Sequence, residues 1–104
     1  MRVFGAMVVE IALLKAKPGQ ADRLREGLRA ARAVIARAPG YRGSVFHQGI
    51  EEPDSFILRV EWDTLEAHMR DFRGGLLFAE WRSHFFAFVD GTPKVTHYET
   101  IAGP

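Results

Sequence analysis

Four histidines, His47, His68, His84 and His97, are the only side chains in this chain that ordinarily titrate near neutrality. His68 is the most informative of them. With Leu65, Met69 and Phe72 it falls at helical spacing on one apolar face. An imidazole in that position either bonds a backbone carbonyl as a core residue or turns into a pocket, since losing its partner costs about 1–3 kcal/mol. Trp62, Phe72, Phe78, Trp81, Phe85, Phe86 and Phe88 crowd the stretch 62–88. Most must be core in so small a domain, yet a wall of rings with a few polar groups also suits a flat organic ligand. His84, three residues past Trp81, faces that cavity or its rim, or simply packs at a helix end among phenylalanines. His47 and His97 fall on strands expected at the sheet edges and read as structural or exposed. Glu10, Arg59 and Glu61 fall on strands expected at the sheet centre, where charges are costly unless paired. An ion pair of Arg59 with Glu10 or Glu61, within the chain or across a dimer, is the structural reading; direct catalysis is the alternative.

The elements that must position these residues follow from periodicity. Residues 6–14 (AMVVEIALL) form a strand with apolar side chains on both faces, as in the middle of a sheet. After Lys17-Pro18-Gly19, a helix over about 20–38 carries the stripe Ala21, Leu24, Leu28, Ala31, Ile35 and Ala38, with arginines on its solvated side. Pro39-Gly40 stops it. Strands over 41–48 and 55–62 flank the polar turn Glu51-Glu52-Pro53-Asp54 and make an antiparallel hairpin. Asp63 or Thr64 caps the next helix. Arg73-Gly74-Gly75 interrupts that helix, as a plain turn or a flap over a pocket, and a second helical stretch runs over about 76–89. The last strand is 94–101. The order βαββαβ predicts one ferredoxin-like α+β domain spanning 1–104, core about 6–101: a four-stranded antiparallel sheet with its helices on one face. The uncovered face is apolar, so a homodimer with sheets packed face to face, closing an α/β barrel, is expected.

Composition narrows the chemistry. The chain has 104 residues, a net charge of +1 and no cysteine. That balance argues against nucleic acid as a partner. The missing thiols exclude disulfides and a cysteine nucleophile and fit a reducing, cytoplasmic setting. No run approaches the ~20 apolar residues of a membrane span, and the N-terminal stretch does not read as a signal peptide. No Gly-rich phosphate loop, metal-ligand spacing or nucleophile elbow stands out, so neither cofactor nor metal is expected. The third strand, SFILRVEW, lacks the basic-Gly-aromatic signature of RNA-recognition modules with the same strand order.

Lys17-Pro18-Gly19, Pro39-Gly40-Tyr41, Glu61-Trp62 and Leu65-Glu66-Ala67-His68, in that order over about 8–99, resemble the antibiotic biosynthesis monooxygenase family. The resemblance implies a dimeric α/β barrel whose pocket lies between helices and sheet. It places His68 at that pocket, as the candidate catalytic residue. Trp62, Phe72, Phe78 and Trp81 become its candidate walls, with His84 as a further substrate contact. Characterised members include cofactor-independent oxygenases of quinols and anthrones and haem-degrading enzymes. The latter resemble one another in an Asn, Trp and His set, whereas this chain has no asparagine, His68 where their Trp aligns, and Arg82 where their haem-binding His aligns. Haem degradation is therefore not expected, and the anthrone mechanism does not carry over whole. Phe72-Arg73-Gly74-Gly75 looks like an insertion relative to shorter members.

The resulting expectation is a cofactor-independent monooxygenase that uses dioxygen on a small aromatic quinol, phenol or polyketide-like substrate. His68 serves as base or as hydrogen-bond partner of the substrate oxygen, and the aromatic walls exclude water. A non-catalytic metabolite-binding module, or an isomerase or dehydratase on the same barrel, is the alternative.

Overall fold

In VVEIALLK two alternating sets of side chains are apolar, and the strand they form, β1 (Val8–Lys15), sits at the centre of the sheet. The computed structural model describes residues 7–104, so Ala6 of the expected first strand and most of the N-terminal stretch lie outside the described residues. Helix α1 (Ala21–Ile35) buries Leu24, Leu28, Ala31 and Ile35, four residues of the expected stripe, together with Val34. It ends before residue 38 because its last carbonyls, of Val34 and Ile35, are taken by the Arg37 and Ala38 N–H groups in tight turns ahead of Pro39. Strands β2 (Tyr41–Gln48) and β3 (Ser55–Trp62) have the expected bounds. Strand β4 (Lys94–Glu99) stops short of the expected Ile101, which is solvent-exposed.

The sheet is antiparallel throughout, in the order β2-β3-β1-β4. Glu10 stands opposite Val60 on β3 and His97 on β4. Side chains alternate across a strand, so Glu10, Ala12, Leu14, Trp62, Val95 and His97 share the face covered by helices. Arg59 and Glu61 lie on the other face, with Leu13, Val45, Ile57 and Tyr98, each 42–55% exposed.

The second helical region departs from a regular helix. Thr64 is the cap, accepting the Ala67 N–H at 3.0 Å. A π-helical turn (Ala67–Phe72) follows, in which the Arg73 N–H reaches back five residues to the His68 carbonyl. The wider turn buries Ala67, His68 and Phe72 but leaves Leu65 and Met69 more than 40% exposed, so the expected four-residue apolar face is only half realised. Helix α2 (Leu76–Ser83) ends well before the expected Val89, and a 3₁₀ turn (Phe86–Phe88) replaces its last turns. The backbone there pairs with the end of β1 instead: Lys17 N–H to Phe88 O at 2.9 Å and Asp90 N–H to Lys15 O at 2.7 Å. Gly27 lets α1 approach this corner, since any side chain there would collide with the His84 carbonyl.

Candidate active site

Three strands and the π-helical turn converge on one site. Glu10 from β1 is 4% exposed and accepts a hydrogen bond from Trp62 Nε1 on β3 at 2.9 Å. His68 Nε2 stands 3.3 Å from the same carboxylate oxygen, Oε1, and His68 Nδ1 is 2.8 Å from His97 Nε2 on β4. One proton lies between the two rings, so they hold complementary roles as donor and acceptor. The indole of Trp62 stacks on His68 with ring centres 5.1 Å apart, and Phe72 packs behind both. These contacts fix the imidazole on both its edges and one of its faces.

Burial sets the charge states. It pushes the Glu10 carboxyl up to about 7, against the opposing pull of the Trp62 N–H and the Arg73 guanidinium. It pushes His68 down to about 4, and the positive charges of His97 and Arg73 act in the same direction. His97 is lowered too, by burial first and Arg73 second. At neutral pH both imidazoles are therefore uncharged, while Glu10 titrates where it can give or take a proton.

Beside this network lies a cavity of about 200 Å³. Its floor is Glu10, Ala12 and Leu14, its walls are His68, Phe78, Trp81 and Phe85, and Arg73, Arg82 and Thr92 stand around it. An apolar cavity of about 150 Å³ accommodates benzene, so this one takes a substituted single ring or a compact fused pair. Among the described residues no group of three His, Asp or Glu side chains has a metal-holding arrangement, and no helix is long and apolar enough to cross a membrane.

A family model for antibiotic biosynthesis monooxygenases matches residues 7–84. The chain belongs to that family. The uncharacterised protein YczJ of Bacillus subtilis is 33% identical over 95 residues, covering 91% of this chain and all of YczJ. A solved structure from Bordetella bronchiseptica, given the same family name, is 34% identical with a TM-score of 0.88 over 93% of this chain and 99% of its own. SnoaB from Streptomyces nogalater, described as a cofactor-independent oxygenase, shares the fold with a TM-score of 0.80 at 14% identity, covering 94% and 96% of the two chains.

In this member of the monooxygenase family the sequence-derived residues divide into three groups. His68, Phe78 and Trp81 line the cavity. Trp62 and Phe72 are almost fully buried one layer behind, where they support His68 and do not bound the space. His84 is exposed at the end of α2 and does not reach the cavity, because the helix stops there and the backbone turns toward β1.

The sequence did not give the contacts of two further residues at this network, His97 and Glu10. His97 lies on an edge strand as expected, but on its inner face, where it bonds His68. Of the two partners expected for Arg59, Glu61 is the one it binds, at 2.6 Å on the opposite face of the sheet, which leaves Glu10 to Trp62 and His68. The signal for both lies in alternation: Glu10 falls in the same set as Val8, Ala12 and Leu14, and His97 in the same set as Val95.

Proposed function

We propose that the protein is a cofactor-independent monooxygenase of a small, electron-rich hydroxyarene, working as a homodimer in the cytoplasm. The observation that carries this reading is the Glu10–His68–His97 chain of proton-exchanging groups on one side of an aromatic cavity. Glu10 Oε1 is engaged by Trp62 and His68, while Oε2 has no hydrogen-bond partner among the described residues. The ionised carboxylate takes a proton from the bound substrate, and His68 supports the charge and passes protons on to His97. The 3.3 Å gap between Glu10 and His68 closes by a few tenths of an ångström to reach transfer range. The substrate anion then gives one electron to dioxygen. The resulting radical and superoxide combine into a peroxide, which takes back a proton and loses water. One oxygen atom stays in the product as a carbonyl, and the other leaves in that water with two substrate hydrogens. Phe78, Trp81 and Phe85 hold the ring and keep water from the anion.

An oxygen electrode and a panel of benzoquinols and naphthoquinols test the reaction. Product must form under oxygen and not under nitrogen. Glu10→Gln and His68→Ala should each lower the rate about a hundredfold, the usual worth of a positioned acid–base group. The wild-type rate should rise with pH through about 7, as Glu10 loses its proton. Undiminished oxygen uptake in His68→Ala would end the assignment, and turnover under nitrogen would favour an isomerase or dehydratase.

A further inference from the structure

Six arginines of the described residues, Arg25, Arg29, Arg37, Arg42, Arg59 and Arg70, have a carboxylate oxygen within 3.5 Å. Arg23, Arg32, Arg73 and Arg82 have none among the described residues; Arg32 is bonded to Ser44 instead, and the last two stand at the cavity. Arg73 is exposed just after the π-helical turn, and the polar contact of its guanidinium is the Met69 sulfur at 3.9 Å. Arg82 on α2 is half-buried, with its guanidinium 3.7 Å from the ring centre of Phe86 and 5.5 Å from that of Phe78. Arg73 also lies 5.7 Å from the Phe78 ring. Contact with aromatic faces holds both forks in place and, apart from the Arg73 N–H on the Met69 sulfur, leaves their in-plane N–H groups to a ligand. With a net charge of only +1 for the whole chain, two cations without a carboxylate contact at one opening make a local positive field, which for Arg73 reaches as far as Glu10.

The geometry points to a substrate that carries a carboxylate beside its phenolic hydroxyl: a hydroxyaryl acid whose ring fills the aromatic slot and whose anion rests on Arg73 and Arg82. The buried floor holds Glu10 and the rim holds the two guanidinium groups. A ligand bound in the opposite sense would bring its carboxylate against Glu10 in a dry setting, where like charges repel strongly. The carboxylate on the floor and the guanidinium groups at the opening therefore set the orientation as well as the class, presenting the hydroxyl to Glu10. This inference rests on the proposed reaction only in taking this cavity as the substrate site.

Gentisate, a benzoquinol with one carboxylate, and its uncharged methyl ester differ in little but the charge. Their binding to the full chain is read under nitrogen by tryptophan fluorescence, with Trp81 as the reporter at the cavity. Gentisate should bind about tenfold or more tightly than the ester, as a charge-assisted pair of contacts warrants. That preference should shrink at high salt and vanish in Arg73→Gln/Arg82→Gln, with the affinity for the ester unchanged. The Arg73→Lys/Arg82→Lys variant should keep part of it. Equal binding of acid and ester, binding of neither, or a double Gln variant that keeps the preference or loses both ligands would each overturn the inference. Because no turnover is measured, failed oxygen uptake leaves this result standing, and loss of the acid preference leaves oxygenation of neutral quinols untouched.

Discussion

The buried pair Glu10 and His68 departs from ordinary titration in opposite senses, and stability should record this. Glu10 has a folded pKa of about 7, above its ordinary 4.5, so the folded state holds its proton more tightly. Its contribution is fully present at low pH and is lost as pH rises from about 4.5 to 7. His68, at about 4 against 6.5, does the reverse: its contribution is present above 6.5 and lost as pH falls toward 4. Each shift corresponds to about 3 kcal/mol across its window. Since the windows overlap, the wild type should show a nearly flat stability between pH 4.5 and 6.5. Glu10→Gln should expose the histidine slope, with stability rising with pH, reinforced by His97. His68→Gln should expose the carboxyl slope, falling with pH. Urea midpoints across that range decide it, and matching profiles in the two variants would show that the groups are not buried as described. The sequence marked His68 because helical spacing set it on an apolar face. It did not mark Glu10 or His97 as partners, because alternation sorts a strand's side chains into two sets without saying which set the helices cover.

At the level of elements, the helix-to-sheet junction at Gly40 controls where the π-helical turn lies. Gly40 has φ +85°, and a Cβ placed there would stand 2.6 Å from the Ala67 Cβ. Its carbonyl accepts the Asp63 N–H at 2.8 Å, tying the start of β2 to the lead-in of the turn that carries His68. Gly40→Ala should therefore cost about 2–4 kcal/mol, from left-handed backbone strain plus a forced displacement of Ala67. In Gly43→Ala, three residues along β2, the new methyl meets nothing within 4 Å and stability should change by less than about 1 kcal/mol. Chemical denaturation of both variants makes the comparison, and an equal cost would remove the junction from the account. Pro39-Gly40 was readable as a helix stop, but its packing against Ala67 was not, since the contact joins residues far apart in sequence. The π-helical turn was hidden for a related reason. A regular helix and a turn that accommodates an extra residue begin with the same letters, and the difference appears only where Leu65 and Met69 swing outward.

For the whole molecule, strand order and the one-sided placement of helices were legible, because hydrophobic period and short connections leave few ways to close four strands. What the other side of the sheet meets is a matter of assembly. Leu13 and Ile57 face each other across the central strands, with Val45 and Tyr98 further out and the Arg59–Glu61 pair beside them. Exposed aliphatic side chains on adjacent strands form the type of contiguous patch that monomeric domains avoid. We infer that two sheets stack face to face, so that each copy's uncovered layer becomes the other's cover. Light scattering should then give twice the chain mass of 11.7 kDa. Ile57→Glu should return the protein to a single chain, since a dimer would have to desolvate two unpaired carboxylates, at several kcal/mol. Leu76→Glu is the matched control: Leu76 is 95% exposed on the helical side, and its replacement should leave the mass unchanged. A wild type that runs as a single chain, or an Ile57→Glu protein that still pairs, would show that the apolar face of the sheet does not hold two copies together.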